Sequence, residues 1–216
     1  MRYGASKRSR KTAVIEGVIA GALFGTAAVF IRFLDGVSVF SIALWRLVIA
    51  SAILVVIVVS MRSFRWSIFR GNLVSVSVLG ILLGLHFILF VSAVQGTKYL
   101  LTATVLVNTT PIWSMFISSF VFKLKPSRLA VLGILTSFLG VSLIAYGDAS
   151  TETWTRSLTG DLEAVVAAVL EAFYLSYGRD TRRKTPLLSL MLAIYAVSAF
   201  TVLIGGAVTR SEFSLP

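Results

Sequence analysis

The stretch DLEAVVAAVLEAFYLSYG, residues 161–178, carries Glu171 in the middle of a small and apolar run and a second glutamate, Glu163, near its start. Within it Ala164, Ala168 and Ala172 recur at every fourth residue. Gly17, Gly21 and Gly25 do the same near the N-terminus, each 147 residues earlier, and the same offset pairs Glu16 with Glu163 and Arg32 with Arg179. Small residues at this spacing share one helix face and let a neighbouring backbone approach closely. The two stretches therefore predict two helices built to one plan, and the chain between them decides how they are related.

That chain is far too apolar to be soluble. Of 216 residues 57% are hydrophobic and 13% charged, with a mean hydropathy of +0.92, whereas a soluble domain is about a quarter charged. Crossing the hydrocarbon takes about 20 apolar residues. Runs of that kind lie at 13–31, 38–60, 72–94, 100–122, 129–147, 161–178 and 187–208, so the expected fold is an all-α integral membrane protein of about seven transmembrane helices. The first run is longer than a signal-peptide core and ends in Arg32 instead of a small-residue cleavage site. With no cysteine and one histidine, thiolate chemistry and histidine-cluster metal sites are excluded, and no metal or cofactor is expected.

Basic residues in the connections set the orientation. Arg2, Lys7, Arg8, Arg10 and Lys11 precede the first span; Arg62, Arg65 and Arg70 follow the second. Lys123, Lys125 and Arg128 follow the fourth, and Arg179, Arg182, Arg183 and Lys184 the sixth. These fifteen fall on one side against four on the other: Arg32, Lys98, Arg156 and Arg210. The excess predicts a cytoplasmic N-terminus and an external C-terminus in a plasma membrane. Its counter-charge is anionic lipid, not nucleic acid.

Five spans separate the starts of the two similar stretches, and five is odd, so the second crosses in the opposite direction. Inverted repeats are the signature of alternating-access carriers. The implied organisation is a basic tail (1–12), a complete five-helix repeat (13–147), an external loop (148–160) and the first two helices of an inverted second repeat (161–216).

GVIAGALFGTAAVFIRFLDGVSVFSIALWRLVIASAILV resembles the opening two helices of an EamA domain of the drug/metabolite transporter superfamily. FVSAVQGTKYLLTATVLVNTTPIWSMFISSFVFKLKPSRLAVLGILTSFLGVSLIAYG resembles its third to fifth helices, and LTGDLEAVVAAVLEAFYLSYGRD the start of a second such domain. The features that carry the resemblance are the first span's small-residue stripe, Arg46, the Pro111 region and Gly133, Gly140 and Gly147. Membership implies transport of a small molecule. Two departures stand out: Lys125 occupies a place where the family commonly has a glutamate, and the family's last three helices of ten are not in this sequence.

Charged groups inside spans are costly, so each is a functional candidate. Glu171 sits near the middle of its span beside Ala167, Ala168 and Tyr174, able either to carry a proton over a transport cycle or to serve as a hydrogen-bonded packing group. Glu16 and Glu163, near two helix N-termini, are favoured there by the helix dipole; they also suit a pair of gates on opposite faces. Arg46 is expected in an ion pair within the bundle, with contact to an anionic substrate as the alternative. His86 is a core imidazole that also titrates near neutral pH. Asn108, Thr109 and Thr110 precede Pro111, where their side chains either satisfy the carbonyls a proline releases or face a cavity. Trp113 and Tyr174 could stack on a ligand.

These readings converge on a secondary carrier with a polar midplane site around Glu171, Arg46, His86 and Asn108. The competing reading is a membrane subunit inactive alone. The expected partners are the bilayer, a small-molecule substrate, and either a second copy of the chain or a completing polypeptide. No nucleotide-binding loop is present. The last span has no lysine for a Schiff base, and Asp35, Asp148, Asp161 and Asp180 all lie at loops or helix ends, which argues against an intramembrane hydrolase. Because the chain has no cysteine, its topology is directly testable. In intact cells a membrane-impermeant maleimide should label a Ser211→Cys variant and reach a Ser127→Cys variant only after permeabilisation; the reverse pattern would invert the assignment.

Overall fold

The structure, a computed structural model, describes residues 10–34, 36–62, 71–97, 100–149 and 158–214. Arg2, Lys7, Arg8, Arg65, Arg70, Lys98, Arg156, Asp35 and most of the loop 148–160 lie outside the described residues. The helices are α1 (Arg10–Phe33), α2 (Val39–Ser60), α3 (Leu73–Gly96), α4 (Leu100–Val107), α5 (Thr110–Phe120), α6 (Arg128–Ala149), α7 (Leu158–Lys184) and α8 (Leu187–Val208). The described residues contain no strand. At about 1.5 Å per residue, the 22 residues of α2 or α8 are enough to cross the hydrocarbon. α1, α2, α3 and α8 are apolar over the length a bilayer requires.

The fourth span is not one helix. It breaks at Asn108 and Thr109 because Pro111, in the first turn of α5, has no N–H to donate and disfavours helical backbone in the residue before it. Carbonyls near the break are taken up locally. Asn108 Nδ2 donates to Thr104 O at 2.8 Å, Thr109 Oγ1 to Leu106 O at 2.6 Å and Thr110 Oγ1 to Val107 O at 2.8 Å.

Helix ends are tied with equal economy. Arg32, on the last turn of α1, aims its guanidinium at the C-terminal carbonyls of α3, with Nη1 3.2 Å from Val94 O and 3.2 Å from Thr97 O. A cation is favoured at that end of a helix. Ser38 caps α2 by accepting from the Ser41 N–H. After α8, Arg210 takes a left-handed turn (φ 53) and Ser211 N–H donates back to Gly206 O. The chain then returns to α2, where Ser38 and Ser41 hydroxyls donate to Glu212 O and Trp45 Nε1 donates to Ser214 O.

α3 is the centre of the bundle. It lies against α7 and α8 along most of its length and against α2 more briefly; α4 and α5 lie on α7. Two glycines set the closest approach. A Cβ placed on Gly80 would lie 2.5 Å from Val197 Cβ, and one on Gly84 would lie 2.9 Å from Thr201 Cβ. Ser198, between those partners on α8, donates to Gly80 O at 2.9 Å. Ala164, Ala168 and Ala172 of α7 are completely buried, whereas nothing lies within 4 Å of a Cβ placed on Gly17, Gly21 or Gly25. α1 touches the bundle through α3 and α4, and α6 does so through α4. Their outward residues, with those of α2 and α8, form an apolar exterior. That exterior and the helix lengths define a multi-pass membrane protein.

The two sets of glycines predict opposite outcomes. Gly80→Leu overpacks the α3–α8 contact and should cost about 1–3 kcal/mol, read as a lower midpoint of thermal unfolding in detergent. Gly21→Ala meets nothing and, alanine being the better helix former, should raise stability by up to about 1 kcal/mol.

Candidate functional site

Glu171 lies on α7, half-buried, where α7 faces α5. Its Oε2 accepts a hydrogen bond of 2.8 Å from Thr110 Oγ1, the first residue of α5. The break in the fourth span is what brings that hydroxyl here. Thr110 also lies 2.8 Å from Val107 O and 3.4 Å from Ala168 O, so one proton faces three acceptors. A hydroxyl both donates and accepts. It can donate to an ionised Glu171, or turn to Val107 O and accept from a protonated one.

His86 of α3 approaches the same turn of α7 from the other side. It is buried, and its Nδ1 lies 2.9 Å from Ala167 O, one turn before Glu171. A carbonyl can only accept, so Nδ1 carries the hydrogen. The imidazole is stacked on Phe90 at 5.9 Å and tilted against Phe87 at 5.4 Å, within electrostatic reach of both Glu171 and Arg46.

Arg46 of α2 sits over the same two rings, with its guanidinium carbon 4.8 Å from the Phe87 centroid and 5.6 Å from that of Phe90. The ion pair expected for it is not formed among the described residues. The rings attract the cation through their π-faces instead. Its Nη1 is buried with no hydrogen-bond partner among the described residues, and Tyr195 of α8 lies within electrostatic reach. Phe24 of α1, the position that the 147-residue offset pairs with Glu171, stacks on Phe90 from α1 at 6.3 Å.

The structure thus brings Glu171, His86 and Arg46 to one level of the bundle. Tyr174 is close, buried between Arg182, whose guanidinium lies over its ring at 5.1 Å, and Met191, to whose sulfur its hydroxyl points. Asn108 is not among them. It is exposed and lines a separate hollow of about 590 Å³ against α6, with Ile112, Gly133 and Ser137. Trp113 donates to Thr109 Oγ1 at 3.0 Å and leans on Phe116. Glu16 is exposed on α1, and Glu163 half-buried near the start of α7.

Sequence reasoning did not find the Phe87–Phe90 platform, the bond from Thr110 to Glu171, or a cleft between α5, α6 and α7. The spacing HFILF beside the histidine is the one signal that pointed to the platform. The cleft, of about 480 Å³, has Thr110 at its inner end, Ser114, Ser118 and Ser176 along its walls, and Lys125 and Arg179 at its outer end.

Comparison with known proteins agrees with this architecture. No solved structure matches the chain. An uncharacterized transporter of Bacillus subtilis (strain 168), YyaM, is 26% identical over 203 residues, which cover 92% of this chain and 64% of that protein. Residues 11–146, well over half of the chain, match the EamA-like transporter family. With its helical membrane architecture and this match, the chain belongs to the EamA-like transporter family.

Proposed function

We propose that the chain forms the substrate-handling part of a secondary carrier. It works by alternating access on a small metabolite or amphipathic compound, in a plasma membrane, with its N-terminus in the cytoplasm. The observation that carries the proposal is the bond between Thr110 and Glu171 at a helix break. A carboxyl group in the middle of its helix stands beside a hydroxyl that suits either of its protonation states, the kind of group a midplane site in an inverted-repeat carrier would use. Glu171 loses its proton as substrate binds and regains it as substrate leaves. His86 and Arg46, on their shared aromatic platform, set the local field. Family membership supports transport and argues against an enzyme.

A second reading has one observation in its favour. The Gly17, Gly21 and Gly25 face of α1 meets nothing in the described residues, as befits a helix that closes against another polypeptide or a second copy. On that reading the chain is a subunit that transports only in company.

Proton release by the purified protein separates these outcomes. Adding amino acids, nucleosides or cationic dyes to wild type should release protons for at least one class, and Glu171→Gln should abolish the release. Thr110→Val should weaken the same response while Thr110→Ser keeps it. Binding without proton release would remove Glu171 from coupling. Absence of binding in a well-folded sample would favour the subunit.

A further inference from the structure

The cleft between α5, α6 and α7 differs in chemistry from the Glu171 cluster it leads to. Its walls carry hydroxyls: Ser114 and Ser118 on α5 and Ser176 on α7, the last two 3.5 Å apart across it. Ser114 Oγ is buried and lacks a hydrogen-bond partner among the described residues, which is costly for a polar atom away from water. The outer end is framed by Lys125, on the turn between α5 and α6, and Arg179 on α7. Among the described residues neither cation is paired with a carboxylate, and no carboxylate lines this cleft. The acid at this end, Asp180, lines an adjoining hollow of about 210 Å³ together with Arg179 and Arg183. Apolar side chains of α6, Ala130 and Ile134, complete the wall.

Two cations at the mouth of a low-dielectric hollow concentrate a positive potential in the space between them. A guanidinium, an ammonium and hydroxyl donors are together the set that binds phosphate or carboxylate oxygens. Cations that only anchor the bundle to headgroups would need neither a shared hollow nor hydroxyls behind them. Lys123 and Arg128 are of that sort, since neither lines the cleft.

We propose that this cleft is an anion-binding site. It takes a phosphate or carboxylate group between Lys125 and Arg179, with Ser118 and Ser176 as neutral donors further in. The anion belongs either to a soluble solute or to the headgroup of an acidic lipid that enters beside α6. As a substrate site it rests on the carrier reading above; as a binding site it does not.

The test uses the full chain in nanodiscs of phosphatidylcholine, titrated with radiolabelled inorganic phosphate. A parallel arm uses discs in which about a third of the lipid is phosphatidylglycerol, with lipid retained on the protein counted by mass spectrometry. A Lys125→Gln/Arg179→Gln variant should lose about tenfold in affinity for whichever anion wild type binds. Ser176→Ala should lose several-fold while keeping the wild-type elution profile and helix content. Lys123→Gln/Arg128→Gln, which removes equal charge outside the cleft, should bind as wild type does. Phosphate binding identifies a solute site, and phosphatidylglycerol retention without phosphate binding a lipid site; both uphold the proposal. Equal loss in the two double variants, or binding of neither anion by folded wild type, would overturn it. An anion that binds while reconstituted vesicles transport nothing would leave the site standing and remove the carrier reading. Transport that proceeds unchanged in a Lys125→Gln/Arg179→Gln variant that has lost anion binding would keep the carrier reading and make the cleft a binding site outside the substrate path.

Discussion

α3 is the most enclosed helix of the bundle, and almost everything else is positioned by what it touches. A helix in hydrocarbon gains nothing from burying leucine against leucine, since lipid is equally apolar; close van der Waals contact and satisfied polar groups hold helices together. α3 supplies both. Gly80 and Gly84 admit the β-branched residues of α8 on one side. On the other, His86 donates to the Ala167 carbonyl of α7. Its C-terminal carbonyls receive Arg32 from α1, and its Phe87 carries Arg46 from α2. Each neighbour is fixed by a different interaction, and all are addressed to one helix.

The polar cluster follows from that arrangement. With α7 held on α3, Glu171 projects between α3 and α5, and the break ahead of Pro111 turns Thr110 toward it. A continuous fourth helix would commit the Thr110 backbone to its own ladder and offer no free register change there. The proline that weakens one span thus brings a hydrogen bond to a half-buried carboxyl group in another.

How much of this was legible in the sequence depended on the length scale of the signal. Helix positions were, because a run of about 20 apolar residues has one physical meaning; the 22 residues of α8 begin where the expected span does, at Leu187. The break at 108–109 was half legible: Pro111 marked a weak point, and the three polar residues before it were named as candidates to satisfy the freed carbonyls. The surroundings of Arg46 were not. An ion pair was the natural expectation for a charge in a span, but a cation over aromatic rings leaves no compositional trace, and Phe87 and Phe90 look like any of the 15 phenylalanines. Asn108 was grouped with Glu171 as a polar residue of the same level; inside the break it donates to Thr104 O and faces α6 instead. The serines of the cleft read as ordinary helix residues until α5 and α7 stood side by side.

The contact between Gly80 and Val197 has a bearing on how this sequence can drift. With a Cβ on residue 80 falling 2.5 Å from the Val197 Cβ and 3.0 Å from Ile194 O, Gly80 cannot take a side chain while residue 197 keeps one. A lineage that acquires alanine or serine at 80 must first, or together with it, bring residue 197 to glycine and ease α8 away to clear Ile194 O, and the same holds for Gly84 with Thr201 and Ser198 O. Substitutions along this seam should therefore appear among descendants as matched pairs, one turn apart on both helices, even as the lipid-facing sides of α1 and α6 vary freely.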